Sequence, residues 1–217
     1  MSLKAAIIPV TPLQQNCSLL WNDENMRGAV IDPGGDLDKI EDALKQTGVT
    51  LEKILLTHGH LDHASAAGEL AKKHGVPIEG PHKDDLFLIE ELPSQGAKYG
   101  MPVYDSFTPD RWLEDEDTVE LAGLTLLVRH CPGHTPGHVV FIHEPSKLAV
   151  VGDVIFQGSI GRTDFPRGNH EQLISSIRER LFPLGEEIAF IPGHGPMSTF
   201  EFEKKTNPFC SDMAVGA

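Results

Sequence analysis

The sequence predicts a layered α/β sandwich, with helices packed outside β-sheets. Three observations predict it. Short apolar segments of strand length recur along the chain, several lead into segments with helical apolar spacing, and both halves run strands first, then strand–helix alternation. The 217 residues are 40% hydrophobic, enough for a substantial core. With no repeat, low-complexity tract or linker, we read one globular domain over residues 1–217.

The elements follow in order. Residues 4–10, 17–21 and 28–31 read as strands separated by polar or Gly/Pro turns. Asp32-Pro33-Gly34-Gly35 is a turn. Asp36 is then expected to cap a helix whose apolar face is Leu37, Ile40, Ala43 and Leu44, ending before Gly48. Residues 53–56 form a short buried strand, and 64–74 a helix stopped by Gly75-Val76-Pro77. A helix is expected around 84–91, then an irregular stretch to Asp110. A connection that long is often functional, for example as an active-site wall. Residues 118–121 and 124–129 read as a hairpin around Ala122-Gly123, and 139–143 and 148–151 as further strands. Asn169 caps a helix carrying Leu173, Ile174, Ile177 and Leu181 on one face, and 188–191 is the last clear strand.

Composition excludes several function classes. The formal charge is −14, from 18 Lys and Arg against 32 Asp and Glu, so a phosphate backbone is repelled and nucleic acid is not an expected partner. The densest acidic run, Glu114-Asp115-Glu116-Asp117, reads as a solvated turn. Three cysteines, Cys17, Cys131 and Cys210, are too few for a disulfide scaffold, and the first two read as packing. No stretch approaches the roughly 18 apolar residues that cross a bilayer, and no signal pattern opens the chain. The expectation is a cytoplasmic protein with no membrane partner; the sequence leaves its oligomeric state open.

Ligand-type side chains recur where strands end. His58, His60, Asp62 and His63 follow the strand at 53–56 and precede a helix. His58 and His60 are two apart and point the same way in extended chain; the turn after them aims Asp62 and His63 at a second point. Four ligands in six residues are too many for one small ion with an open position and natural for two ions sharing a site. His134, Asp153 and His194 each follow an apolar strand beside glycine. Alone, a histidine next to glycine is more often structural; beside the first cluster, these three support one another. Imidazole and carboxylate suit zinc, and also iron or manganese. Two such ions about 3.5–4 Å apart acidify a shared water whose hydroxide attacks a carbonyl, so no Ser or Cys nucleophile is required. His74, His82, His130, His138, His143 and His170 read as surface or supporting residues, with His138 the one expected to act near the metals.

Thr57-His58-Gly59-His60-Leu61-Asp62-His63 resembles the T-H-x-H-x-D-H signature of the metallo-β-lactamase superfamily, and the similarity runs from about residue 4 to Phe209. The resemblance implies a four-layer αββα sandwich. It implies one metal on His58, His60 and His134, a second on Asp62, His63 and His194, and Asp153 bridging, with Asp62 and Asp153 as the catalytic carboxylates. Asn16-Cys17, Asp32-Pro33-Gly34, Pro132 to Gly137 and Asn207-Pro208-Phe209 resemble the glyoxalase II group, short bacterial type, which hydrolyses thioesters such as S-lactoylglutathione. Larger members continue into a basic helical segment that holds glutathione. Here only eight residues, none basic, follow Phe209, so that extension is not expected. Arg162 lies where the group places a basic substrate contact. Gly161-Arg162-Thr163-Asp164-Phe165 also resembles the persulfide dioxygenases, which would use one iron on His58, His134 and Asp153.

Overall fold

The computed structural model describes residues 2–216. β1 (Leu3–Val10), β2 (Gln15–Asn22) and β3 (Arg27–Ile31) form an antiparallel meander. α1 (Leu37–Thr47) crosses to β4 (Thr50–Leu55), which pairs parallel with β3. After α2 (Leu61–Ala64) and α3 (Ala67–His74), β5 (Ile78–Glu79) pairs parallel with β4, and α4 (Leu86–Tyr99) follows. The second half repeats the scheme. β6 (Thr118–Leu121), β7 (Leu124–His130), β8 (Val139–His143) and β9 (Leu148–Gly152) are an antiparallel meander. β10 (Ile155–Phe156) and β11 (Ser159–Ile160) form a hairpin. α5 (His170–Ser175) runs on as a π-helical segment, Ser176–Leu181. β12 (Ala189–Pro192) pairs parallel with β9, β13 (Ser198–Thr199) closes the edge, and α6 (Phe200–Thr206) is last. The two main sheets have strand orders β1-β2-β3-β4-β5 and β13-β12-β9-β8-β7-β6.

Period-two side-chain alternation turns these sheets into four layers. Leu20, Ala29, Ile31 and Leu55 of the first sheet meet Val128, Val139, Phe141, Val150 and Ile191 of the second. Their strand neighbours point the other way. Leu19, Val30 and Ile54 pack under Ile40, Leu44, Leu70 and Ile89 of the helices on one outer face. Val140, Ile142, Ala149 and Phe190 pack under Leu173, Ile177, Leu181 and Phe200 on the other. The chain has the αββα architecture.

Three local expectations are corrected. Asp36 takes a left-handed conformation at the start of α1 and makes no cap; its carboxylate accepts from Thr11 N–H (3.1 Å) and Lys39 Nζ (2.7 Å). The helix at 64–74 is broken, because Ala66 N–H donates to Pro33 O at 3.0 Å instead of continuing the helical ladder. α4 runs through Pro93 to Tyr99, well past 91. Proline removes one helical hydrogen bond, but burial of Leu88, Ile89, Leu92 and Gly96 holds the helix on its sheet. β5, β10, β11 and β13 have two residues each, too short for any periodicity, and α6 buries only Phe200 and Glu203.

Candidate metal centre

All seven ligand-type side chains meet where strands of both sheets end. The loop after β4 brings His58 and His60; α2 brings Asp62 and His63; the loops after β7, β9 and β12 bring His134, Asp153 and His194. Donor atoms of His58, His60 and His134 lie within 4.8 Å of one another, as do those of Asp62, His63 and His194. His60 Nδ1 stands 3.1 Å from His58 Nε2 and 2.9 Å from His134 Nε2. In the second triad, His194 Nε2 is 3.1 Å and His63 Nε2 3.7 Å from Asp62 Oδ2. Asp153 stands between them: Oδ2 is 3.6 Å from His134 Nε2 and 3.8 Å from His194 Nε2, and Oδ1 is 3.3 Å from His63 Nε2.

Hydrogen bonds behind the rings fix which nitrogen faces inward. His134 Nδ1–H donates to Arg162 O at 2.7 Å, and His63 Nδ1–H to Asp32 Oδ2 at 2.9 Å. Thr57 Oγ–H donates to Asp32 Oδ2 at 2.6 Å, so its oxygen accepts from His58 Nδ1–H at 3.0 Å. His134 and His58 are thereby left with an Nε2 lone pair on the inner side, the form a metal binds, and His63 turns its Nε2 the same way. His138 Nε2 accepts Asp153 N–H at 3.0 Å, and its ring stacks on His58, which places it near the centre as expected.

Electrostatics divides the two triads. Burial, reinforced by neighbouring imidazoles, pushes His58 well below the usual histidine range and His60 down to about 3; burial also lowers His134. The first triad is therefore three neutral rings whose inner nitrogens, His58 Nε2, His60 Nδ1 and His134 Nε2, converge. In the second, burial opposes charge, yet Asp153 and Asp62 raise His63 well above its ordinary value. Burial likewise opposes the charge on Asp153, but His63 and His134 hold that carboxyl well below the carboxylate range. His63 Nε2 and Asp153 Oδ1 are buried, face each other at 3.3 Å and make no well-aligned hydrogen bond. Converging lone pairs and orphaned buried donors made only of imidazole and carboxylate fit divalent zinc, iron or manganese.

Arg162 lies at the mouth. Its guanidinium is exposed, pairs with both Asp164 oxygens (2.7 and 2.6 Å) and stacks 4.2 Å over Phe165, whose ring is 5.0 Å from His60. Three residues escaped the sequence reading as functional supports. Asp32, read as a turn residue, holds His63 and Thr57. Asn16 fixes the His194 loop through Pro192 O (3.0 Å) and Gly195 O (2.8 Å). Asp85 ties two ligand loops together. Nothing local marked Asp85, which follows His82, Lys83 and Asp84; Asn16 was marked only by the family resemblance.

Residues 10–194 match the metallo-beta-lactamase superfamily. The chain belongs to that superfamily. This metallo-β-lactamase-fold chain is 50% identical over 209 residues to hydroxyacylglutathione hydrolase GloC of Haemophilus influenzae, covering 96% of this chain and 98% of that one. That similarity accords with the glyoxalase II group. Among solved structures, the BLEG-1 B3 metallo-beta-lactamase superposes with a TM-score of 0.88 at 33% identity, over 95% of this chain and 99% of that one. TTHA1623 in a di-iron-bound form gives 0.85 at 35% identity, over 94% and 99%. Among the described residues, no helix is long and apolar enough to cross a membrane.

Proposed function

We propose that this superfamily member is a binuclear metal-dependent hydrolase of a small thioester such as S-lactoylglutathione. His58, His60 and His134 would hold one ion and Asp62, His63 and His194 the other, with Asp153 available to both. The observation that carries this reading is Asp153, whose two oxygens approach His134 of one triad (3.6 Å) and His63 of the other (3.3 Å). Its 50% identical relative, named a hydroxyacylglutathione hydrolase, supports the substrate class. Zinc is the first choice of metal; the di-iron form of TTHA1623 supports iron as well, and manganese fits the same donors.

When bound, two such ions lower the pKa of a shared water and polarise the substrate carbonyl. The chain's own residues do the rest. Asp62 is held below its ordinary range by His63 and the His194 hydrogen bond, although burial opposes it, so it and Asp153 offer anionic acceptors that orient a water. Phe165 beside His60 and Phe156, 6.3 Å from His194, flank the mouth with apolar surface and limit bulk water at the reacting carbonyl. A thiolate leaves readily, since a thiol has a pKa of about 8.5, and needs no strong general acid. Arg162 exchanges Asp164 for a carboxylate on the thiol carrier. No cysteine attacks: Cys17, Cys131 and Cys210 are buried, and burial pushes all three thiols up. An oxygenase with one iron on His58, His134 and Asp153 would leave His60, Asp62, His63 and His194 without a role.

The test is thiol release from S-lactoylglutathione by zinc-, iron- and manganese-loaded protein. Turnover in at least one form is expected. Absence of turnover in all three contradicts the proposal.

A further inference from the structure

One side chain outside the seven spans both loops of the first triad. Asp85, fully buried just before α4, accepts from Gly59 N–H at Oδ2 (2.9 Å), from the Thr135 hydroxyl at Oδ2 (2.8 Å) and from Gly137 N–H at Oδ1 (2.6 Å). Gly59 lies between His58 and His60. Thr135 follows His134 directly. The approach is close: a Cβ at position 137 would stand 2.6 Å from Asp85 N and 2.7 Å from its Oδ1. No lysine or arginine pairs with this carboxylate among the described ion pairs, so its three hydrogen bonds are what offset its burial. Burial lifts the carboxyl to about 6, so at neutral pH it is still the anion that these donors match.

We propose that Asp85 is a positioning residue for the first metal: by accepting from both ligand loops at once, it sets the distance from His58 and His60 to His134. This rests on reading those three histidines as ligands of one ion. Asparagine has a single side-chain acceptor oxygen and would turn its NH2 on Gly59 N–H or Gly137 N–H, so at least one of the hydrogen bonds that tie the two loops is lost in Asp85→Asn. Thr135→Val removes one donor and leaves the carboxylate intact.

The experiment titrates metal-free wild type, D85N, T135V and E79Q with cobalt(II), reading ions per chain, the dissociation constant of each ion and the cobalt visible spectrum, with melting temperature alongside. Glu79 is a buried carboxylate bound to Lys53 and Arg111, away from the site. Asp85→Asn is expected to weaken one ion by roughly tenfold or more and alter its spectrum, leaving the other within about threefold. Thr135→Val should move the same ion by less, and decides the matter should Asp85→Asn not fold. Glu79→Gln should lower the melting temperature and leave both constants unchanged. Wild-type affinities in D85N and T135V would overturn the proposal, as would equal weakening of both ions. Fewer than two ions in the wild type would instead overturn the reading of the site.

Discussion

At Gly193 one added methyl group would stand inside the centre. A Cβ there lies 2.0 Å from Asp153 Oδ1 and 2.6 Å from His63 Cε1. Gly193→Ala should therefore lose roughly tenfold or more in activity and bind less metal, while circular dichroism shows a folded chain. Full metal content in that variant would contradict the geometry. Asp85 gives a pH prediction. Burial raises its folded carboxyl from 3.8 to about 6, so the folded state holds that proton more tightly than the unfolded chain. Its contribution to stability is full below about pH 4 and lost as pH rises to about 6, on the order of 3 kcal/mol. In metal-free protein, the stability of Asp85→Asn relative to wild type should rise between about pH 4.5 and about pH 7.5 in urea unfolding. A difference that stays flat with pH would show the carboxyl is not held protonated. The seven donors were legible because their type and local spacing carry the chemistry. Their holders were not, because each works at long range: Asp32 meets Thr57 across 25 positions, Asp85 meets Gly137 across 52, and Asn16 meets Gly195 across 179.

Strands of four or more residues were readable as apolar runs bounded by turns. In β8, Val139 and Phe141 face the other sheet, and Val140 and Ile142 face the helices. Phe141, almost fully buried between the sheets, tests this element directly. Phe141→Ala should cost about 3–5 kcal/mol and lower the melting temperature, while the folded fraction still binds metal. A cost below about 1 kcal/mol would contradict its place in the inter-sheet core. Two-residue strands left no pattern, yet they serve the site. Asn207 Nδ2 donates to Ser159 O at 3.0 Å and Glu203 Oε2 at 2.8 Å, and Gly158 N–H donates to Glu203 at 2.9 Å. α6 thereby pins the β10–β11 hairpin that leads into Arg162, whose carbonyl holds His134. α4 continues past 91 with only Gly96 buried beyond Pro93, so no apolar pattern in the sequence marks that last stretch.

For the molecule as a whole, periodicity gave strands and helices, and the resemblance gave their stacking into four layers with one metal edge. Substrate recognition was less legible, since the mouth is assembled from Phe156, Phe165 and Arg162, and Arg162 is already paired with Asp164. A net charge of −14 repels an anionic thioester at long range. Raising ionic strength should therefore raise kcat/KM for S-lactoylglutathione, and a fall would reveal a local positive funnel that overrides the net charge. The most direct measurement is metal content per chain in the wild type and in Asp153→Ala, by elemental analysis after reloading with zinc. A carboxylate shared by two ions predicts two per chain in the wild type and loss at both positions in the variant. One ion per chain in the wild type, or full occupancy in the variant, would contradict it.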